Sequence, residues 1–208
     1  MQEYHKIQNI YERDMVTNKL IEGKFRDPLV EYMKDLEWIA TEKVDGTNIR
    51  VHWDGKDVTF GGRTDNAQLP SNLVTWLNNK FQTLEARNLF ATKFPGKTVT
   101  LYGEGYGAGI QKGGVYSQEQ KLVVFDVQVD GKYVERGSVI GIADIFGVDV
   151  VPVVFEGTLP AMVQIIKNNP QSNWGGFVME GFVARPKIET YNKFGERVIV
   201  KIKVRDFN

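Results

Sequence analysis

Asn48-Ile49-Arg50-Val51-His52-Trp53-Asp54-Gly55-Lys56-Asp57-Val58-Thr59-Phe60 decides the fold class, because two extended runs flank an Asp-Gly pair. Such a pair supplies the positive backbone angles of a tight hairpin, so the two runs are expected to lie antiparallel. Asp130-Gly131 repeats the signal after the run Leu122 to Val129. Further strand candidates are Leu36 to Ala40, Thr98 to Tyr102, Val151 to Phe155, Phe177 to Val183 and Val198 to Val204. Helical spacing runs from Ser71 to Phe90, with Leu73, Trp76, Leu77, Phe81 and Leu84 on one face and Pro70-Ser71 as its start. Two shorter helices are expected at Gly137 to Phe146 and Leu159 to Lys167. Hairpins mixed with helices predict an α+β protein with a largely antiparallel sheet, not a doubly wound parallel one. No repeat, low-complexity tract or linker interrupts the chain, so residues 1–208 are expected to form a single domain.

The 208 residues are 42% hydrophobic, enough for a sizeable core. No apolar run reaches the length of a membrane span, and Met1-Gln2-Glu3-Tyr4-His5 lacks the start of a secretory signal, so a cytoplasmic protein without membrane contact is expected. With no cysteine and only His5 and His52, thiolate chemistry is excluded and histidine-based zinc or hydrolase chemistry is disfavoured. Lys+Arg and Asp+Glu both count 26, so any binding of phosphates must rest on local charge.

Five clusters carry possible chemistry. Glu42-Lys43-Val44-Asp45-Gly46-Thr47-Asn48 puts a lysine where an apolar strand gives way to a polar turn, although K-x-D-G arises by chance in about one chain in twenty of this size. Tyr102-Gly103-Glu104-Gly105 runs a strand into a glycine-rich turn, and alternation sets Glu104 on the face of Thr98, Thr100 and Tyr102. Lys121 to Val127 is apolar on both faces apart from Asp126, which therefore needs a partner, while Phe125 alone reads as core. Glu180 lies on the face of Val178 and Phe182, and a glutamate in so apolar a run calls for a cation or a metal. In Val198 to Val204, Lys201 and Lys203 share one face, which is either a solvated edge or a cationic seat for phosphate. Arg63, in Gly61-Gly62-Arg63-Thr64, is either a surface arginine or a bidentate phosphate contact.

Taken in order, these clusters resemble the signature motifs of the covalent nucleotidyltransferases, the superfamily of ATP-dependent ligases and mRNA capping enzymes. Asn48 and the opening Tyr4-His5-Lys6-Ile7-Gln8-Asn9-Ile10-Tyr11 are similar to the phage and kinetoplastid-editing RNA ligases. The resemblance implies two largely antiparallel β-sheets with flanking helices forming a nucleotide cleft; the chain departs from the family pattern in stopping at Asn208, and a minimal form without an OB-fold or other C-terminal domain is expected. It implies an ATP-dependent RNA ligase that uses ATP with Mg²⁺ or Mn²⁺ and joins RNA ends, in nicked duplex or single strand, with no obligate protein partner. Lys43 would be the nucleophile that carries AMP, and Lys201, Lys203 and Arg63 would stabilise charge on the phosphates. Glu104 would hold the ribose, Phe125 would stack on adenine, Glu42 would contact the base through its backbone, and Asn48 belongs to the nucleotide site. Glu180, and secondarily Asp126, would associate with the metal, directly or through water. The alternatives are a compact DNA ligase, a capping guanylyltransferase using GTP, and a noncatalytic nucleic-acid-binding module.

Overall fold

The structure, a computed structural model, describes residues 1–207. Its strands are β1 (Gln8–Asn9), β2 (Tyr11–Arg13), β3 (Leu20–Phe25), β4 (Trp38–Glu42), β5 (Thr47–Trp53), β6 (Val58–Gly61), β7 (Val99–Tyr106), β8 (Lys121–Val129), β9 (Lys132–Tyr133), β10 (Val153–Gly157), β11 (Gly181–Pro186) and β12 (Val200–Lys203). The helices are α1 (Pro28–Tyr32), α2 (Ser71–Phe81), α3 (Leu84–Lys93), α4 (Arg136–Ile145) and α5 (Leu159–Lys167). The fold is α+β, and its contacts divide it into two compact units.

The first unit, Met1–His5 with Asp45–Val151, holds an antiparallel sheet in the order β6-β5-β7-β8-β9. Both expected hairpins form. Asp54 accepts from the Lys56 and Asp57 amides at 2.8 and 2.7 Å, while Asp130 and Gly131 both take positive φ, 50° and 76°, as a two-residue hairpin turn demands. One sheet face supplies Ile49, Val51, Val99, Leu101, Leu122 and Val124 to a core shared with Leu73, Leu77 and Phe81 of α2 and Phe90 of α3. Full burial of each large apolar side chain is worth about 1.5–3 kcal/mol. The register slips between Tyr102↔Asp126 and Gly103↔Val124, which leaves Phe125 as the extra residue of a β-bulge. Beyond it the inward set on β8 changes parity, from Leu122 and Val124 to Val127 and Val129.

The single helix expected from Ser71 to Phe90 is two helices. Thr83 stops the first and caps the second, its hydroxyl accepting from the Ala86 amide at 3.1 Å. Leu84, expected on the apolar face, is consequently 77% exposed.

The second unit, Lys6–Val44 with Pro152 onward, holds a sheet ordered β1-β12-β11-β4-β10, antiparallel except for the β1–β12 pair. Trp38, Ala40, Phe182, Ala184, Val200 and Ile202 pack in one core with Met162 and Ile166 of α5. A separate hairpin, β2–β3, and the short α1 were not among the expected elements, since Leu20-Ile21-Glu22-Gly23-Lys24-Phe25 is largely exposed and shows little alternation. The strand expected from Phe177 begins only at Gly181. Among the described residues, no helix is long and apolar enough to cross a membrane.

Candidate active site

In the second unit, β4 ends at Glu42 and the Lys43 amide donates to the Gly181 carbonyl at 2.9 Å. Gly181 is in register with Lys203 at φ 154°, and a Cβ there would lie 2.1 Å from the Ile202 carbonyl oxygen. Only glycine lets the three strands approach so closely at this point. Glu180, immediately before Gly181, is thereby set between two lysines. Lys43 Nζ donates to Glu180 Oε2 at 2.8 Å and Lys203 Nζ to Oε1 at 2.6 Å. The side chains of Lys43, Glu180 and Lys203 are 22%, 12% and 13% exposed. Two ammonium groups face one carboxylate in a largely desolvated setting, so the cluster carries an excess positive charge suited to an anion. Lys201 lies two residues before Lys203 on the same face of β12, opposite Val183 of β11. This strand is interior, flanked by β1 and β11, so the solvated-edge reading of the two lysines does not hold.

Glu42 is buried and occupied. Its Oε1 accepts from Ser172 Oγ at 2.5 Å and its Oε2 from the Asn173 amide at 2.9 Å, and Ser172 Oγ also accepts from the Trp174 amide. The carboxylate thus pins the 172–174 loop, which satisfies a charge that burial would otherwise make costly.

In the first unit, the sheet face opposite the apolar core is polar. Asn48 of β5 pairs across from Glu104 of β7, and Tyr102 from Asp126 of β8. Asn48 Oδ1 is buried without a hydrogen-bond partner, an acceptor left beside Glu104. Asp126 is fully buried, and Tyr4 of the amino-terminal segment donates to its Oδ2 at 2.8 Å. The Tyr4 ring meets Phe125 edge-on at 5.0 Å, because the bulge turns Phe125 toward it. Burial, with Asp126 adding to it and Arg50 opposing, pushes the Tyr102 hydroxyl up to about 12, so it stays neutral. Arg50 is fully buried, and its Nε donates to the Gly62 carbonyl at 2.7 Å and its Nη2 to Asp65 at 2.9 Å. These contacts hold the loop on which Arg63 is exposed. Removing the Tyr4 hydroxyl tests the support of this face. Tyr4→Phe is expected to destabilise the protein by about 1–3 kcal/mol, the cost of leaving a buried acceptor short of a donor, and to lower Tm by several degrees. An unchanged melting curve would contradict it.

The RNA ligase family model matches residues 36–203, which include Lys43, Glu180, Lys201 and Lys203 and the Asn48–Glu104 pair. The chain belongs to the RNA ligase family. Solved structures of a Naegleria gruberi RNA ligase share its fold. A variant with ATP and Mn is 18% identical, with a TM-score of 0.68 over 98% of this chain and 56% of that one. A second variant, with AMP and Mn, is 18% identical, with a TM-score of 0.63 over 85% and 52%. The ligase with PPi is 18% identical, with a TM-score of 0.63 over 96% and 61%. The chain thus spans roughly half the length of the structures it matches. No curated protein sequence matches it.

For this member of the family, the structure joins Lys43, Glu180 and Lys203 directly, with Lys201 on the same strand face as Lys203. In the other unit it sets Asn48 opposite Glu104, and Phe125 and Asp126 about Tyr4. Glu180 reaches its position from an irregular segment, so the alternation with Val178 that singled it out does not apply: Val178 is 44% exposed. Tyr4, Arg50 and Ser172 were missed as supporting residues. A buried Asp126 demanding a donor was a signal that a partner existed, but nothing in the local pattern named Tyr4. Among the described residues, no group of three or more His, Cys, Asp or Glu could hold a metal. Both Glu180 oxygens are taken up by Lys43 and Lys203, so the cluster as it stands is arranged for an anion and not for a metal ion.

Proposed function

We propose that the protein is an ATP-dependent RNA ligase in which Lys43 carries AMP. The observation that supports this most directly is the pairing of Lys43 with Glu180 and Lys203 at the junction of three strands, in a chain of the RNA ligase family. Lys43 Nζ, released from Glu180 and having given up its ammonium proton to solvent, attacks the α-phosphorus of ATP as a neutral amine. A P–N bond forms, the α–β P–O bond breaks, and pyrophosphate leaves with the charge. Lys203 and Lys201 neutralise the α-phosphate as negative charge builds on it. A 5′-phosphate oxygen of the RNA then displaces Lys43, breaking the P–N bond and forming a P–O–P link to AMP. The 3′-hydroxyl oxygen attacks that 5′-phosphorus, forming the phosphodiester and releasing AMP.

Glu104 holds the ribose hydroxyls, and Asn48, with its unpartnered buried oxygen, is a ready acceptor in the same nucleotide site. Phe125 stacks on adenine, Glu42 presents its backbone to the base, and Arg63 contacts phosphate. A divalent ion, Mg²⁺ or Mn²⁺, would supply charge neutralisation on the phosphates when bound, and Glu180 would hold it once the nucleotide phosphates draw Lys43 and Lys203 away. Asp126, fully buried and fixed by Tyr4, acts as a support of the Phe125 strand. The Naegleria ligase variants with ATP or AMP and Mn are consistent with this nucleotide and metal choice.

Substrate choice gives the test. RNA is distinguished from DNA by its 2′-hydroxyl or its A-form geometry, and either can be read over a few nucleotides. Matched nicks whose 3′-hydroxyl strands end in ribonucleotides or deoxyribonucleotides are expected to be sealed unequally, with RNA faster. Overall neutrality predicts a small phosphate footprint and a shallow salt dependence. Equal or faster joining of the DNA nick would reject the RNA assignment.

A further inference from the structure

Between β11 and β12, residues 187–197 leave the sheet as a hairpin that projects three apolar side chains into solvent. Ile188 is 82%, Tyr191 50% and Phe194 75% exposed. The hairpin is nevertheless firmly built. Tyr191 bridges to Arg197, and the Val198 amide donates to the Thr190 carbonyl at 2.9 Å. Asn192 closes the tip, its Oδ1 accepting from the Phe194 and Glu196 amides at 2.9 and 3.0 Å and its Nδ2 donating to Glu196. Arg197, only 7% exposed, pairs with Glu189 at the base. Exposure of the aromatics is thus imposed by a fixed turn, and Lys193 Nζ stands 5.0 Å from the centre of the Phe194 ring.

We propose that this hairpin is an RNA-binding element, in which Tyr191 and Phe194 stack on bases and Lys193 meets the adjoining phosphates. Aromatic rings interleaved with a cation are what a single strand or an unpaired end uses for sequence-tolerant binding, since every base offers a π-face. The strand that leaves the hairpin is the one that carries Lys201 and Lys203, so a polynucleotide gripped here is tied to the lysine cluster by continuous chain. Phe194 is nine residues before Lys203, so it stands no more than about 30 Å from it, which is at most about nine phosphate steps. The contact belongs to the flanks of the joint and not to its chemistry. This deepens the RNA ligase reading and rests on it for the identity of the nucleic acid.

The test is binding of labelled nicked RNA with long flanking arms of about twelve nucleotides, which reach past the nine steps. Phe194→Ala in the full chain is expected to weaken binding of the long-armed RNA about tenfold and to leave label transfer from ATP unchanged. Phe194→Tyr should restore the affinity, and the exposure of the ring means that the truncation opens no cavity. Unchanged binding of the long-armed RNA would overturn the proposal. So would a concentration-dependent dimer of the wild type that Phe194→Ala abolishes, which would make the hairpin a contact between copies. Should the wild type take no label from ATP, the ligase reading would fail, while the binding comparison would still judge the hairpin.

Discussion

Replacing Lys43 by alanine is expected to abolish transfer of label from α-labelled ATP to the protein. The expectation rests on position: Lys43 follows the last residue of β4, with its amide fixed by Gly181 and its ammonium held by Glu180 at 2.8 Å. Its side chain lies outside the apolar core but is only 22% exposed and paired with Glu180, so the folding of the variant is checked alongside its labelling. Lys203 is the nearest competitor for the role, since it binds the other oxygen of the same carboxylate. Residual label mapped to Lys203 would therefore exchange their roles. The same Lys43→Ala variant should still seal RNA that already carries a 5′-adenylate, because that step does not use the lysine as nucleophile. Retained sealing with lost labelling separates a missing nucleophile from a misfolded protein.

Lys203→Ala is expected to slow lysine adenylylation by at least about a hundredfold, the scale of losing one preorganised charge stabiliser. Lys201→Ala should act similarly. Glu180→Ala removes the one carboxylate set between Lys43 and Lys203, leaving two ammonium groups in a poorly solvated place, and should be at least as harmful. Because breaking a largely buried pair also costs stability, Tm must be measured with the rate. Near wild-type adenylylation in Lys203→Ala would return that lysine to a structural role.

The hairpins and most strands were legible because Asp-Gly turns and alternating runs are local signals, and the lysine pair on β12 followed from period two alone. What escaped was non-local. Thr83 ends a helix that apolar spacing carries straight through, because a cap competes with the pattern on backbone hydrogen bonding. The bulge at Phe125 cannot be read from β8, since it is a register slip against β7. Asp126 announced its need for a partner, yet the donor stands 122 positions away in sequence. Glu180 was singled out through an alternation that its irregular segment does not have, although the demand for a cation near it was sound: it has two.

Covalent adenylylation of Lys43 is tested most directly by measuring the intact mass of the wild-type protein after incubation with ATP and Mg²⁺, followed by peptide mapping. A gain of one AMP is expected, stable to base and labile to acid, located on Lys43 and absent with GTP. No mass gain, or an adduct on any other residue, would contradict it.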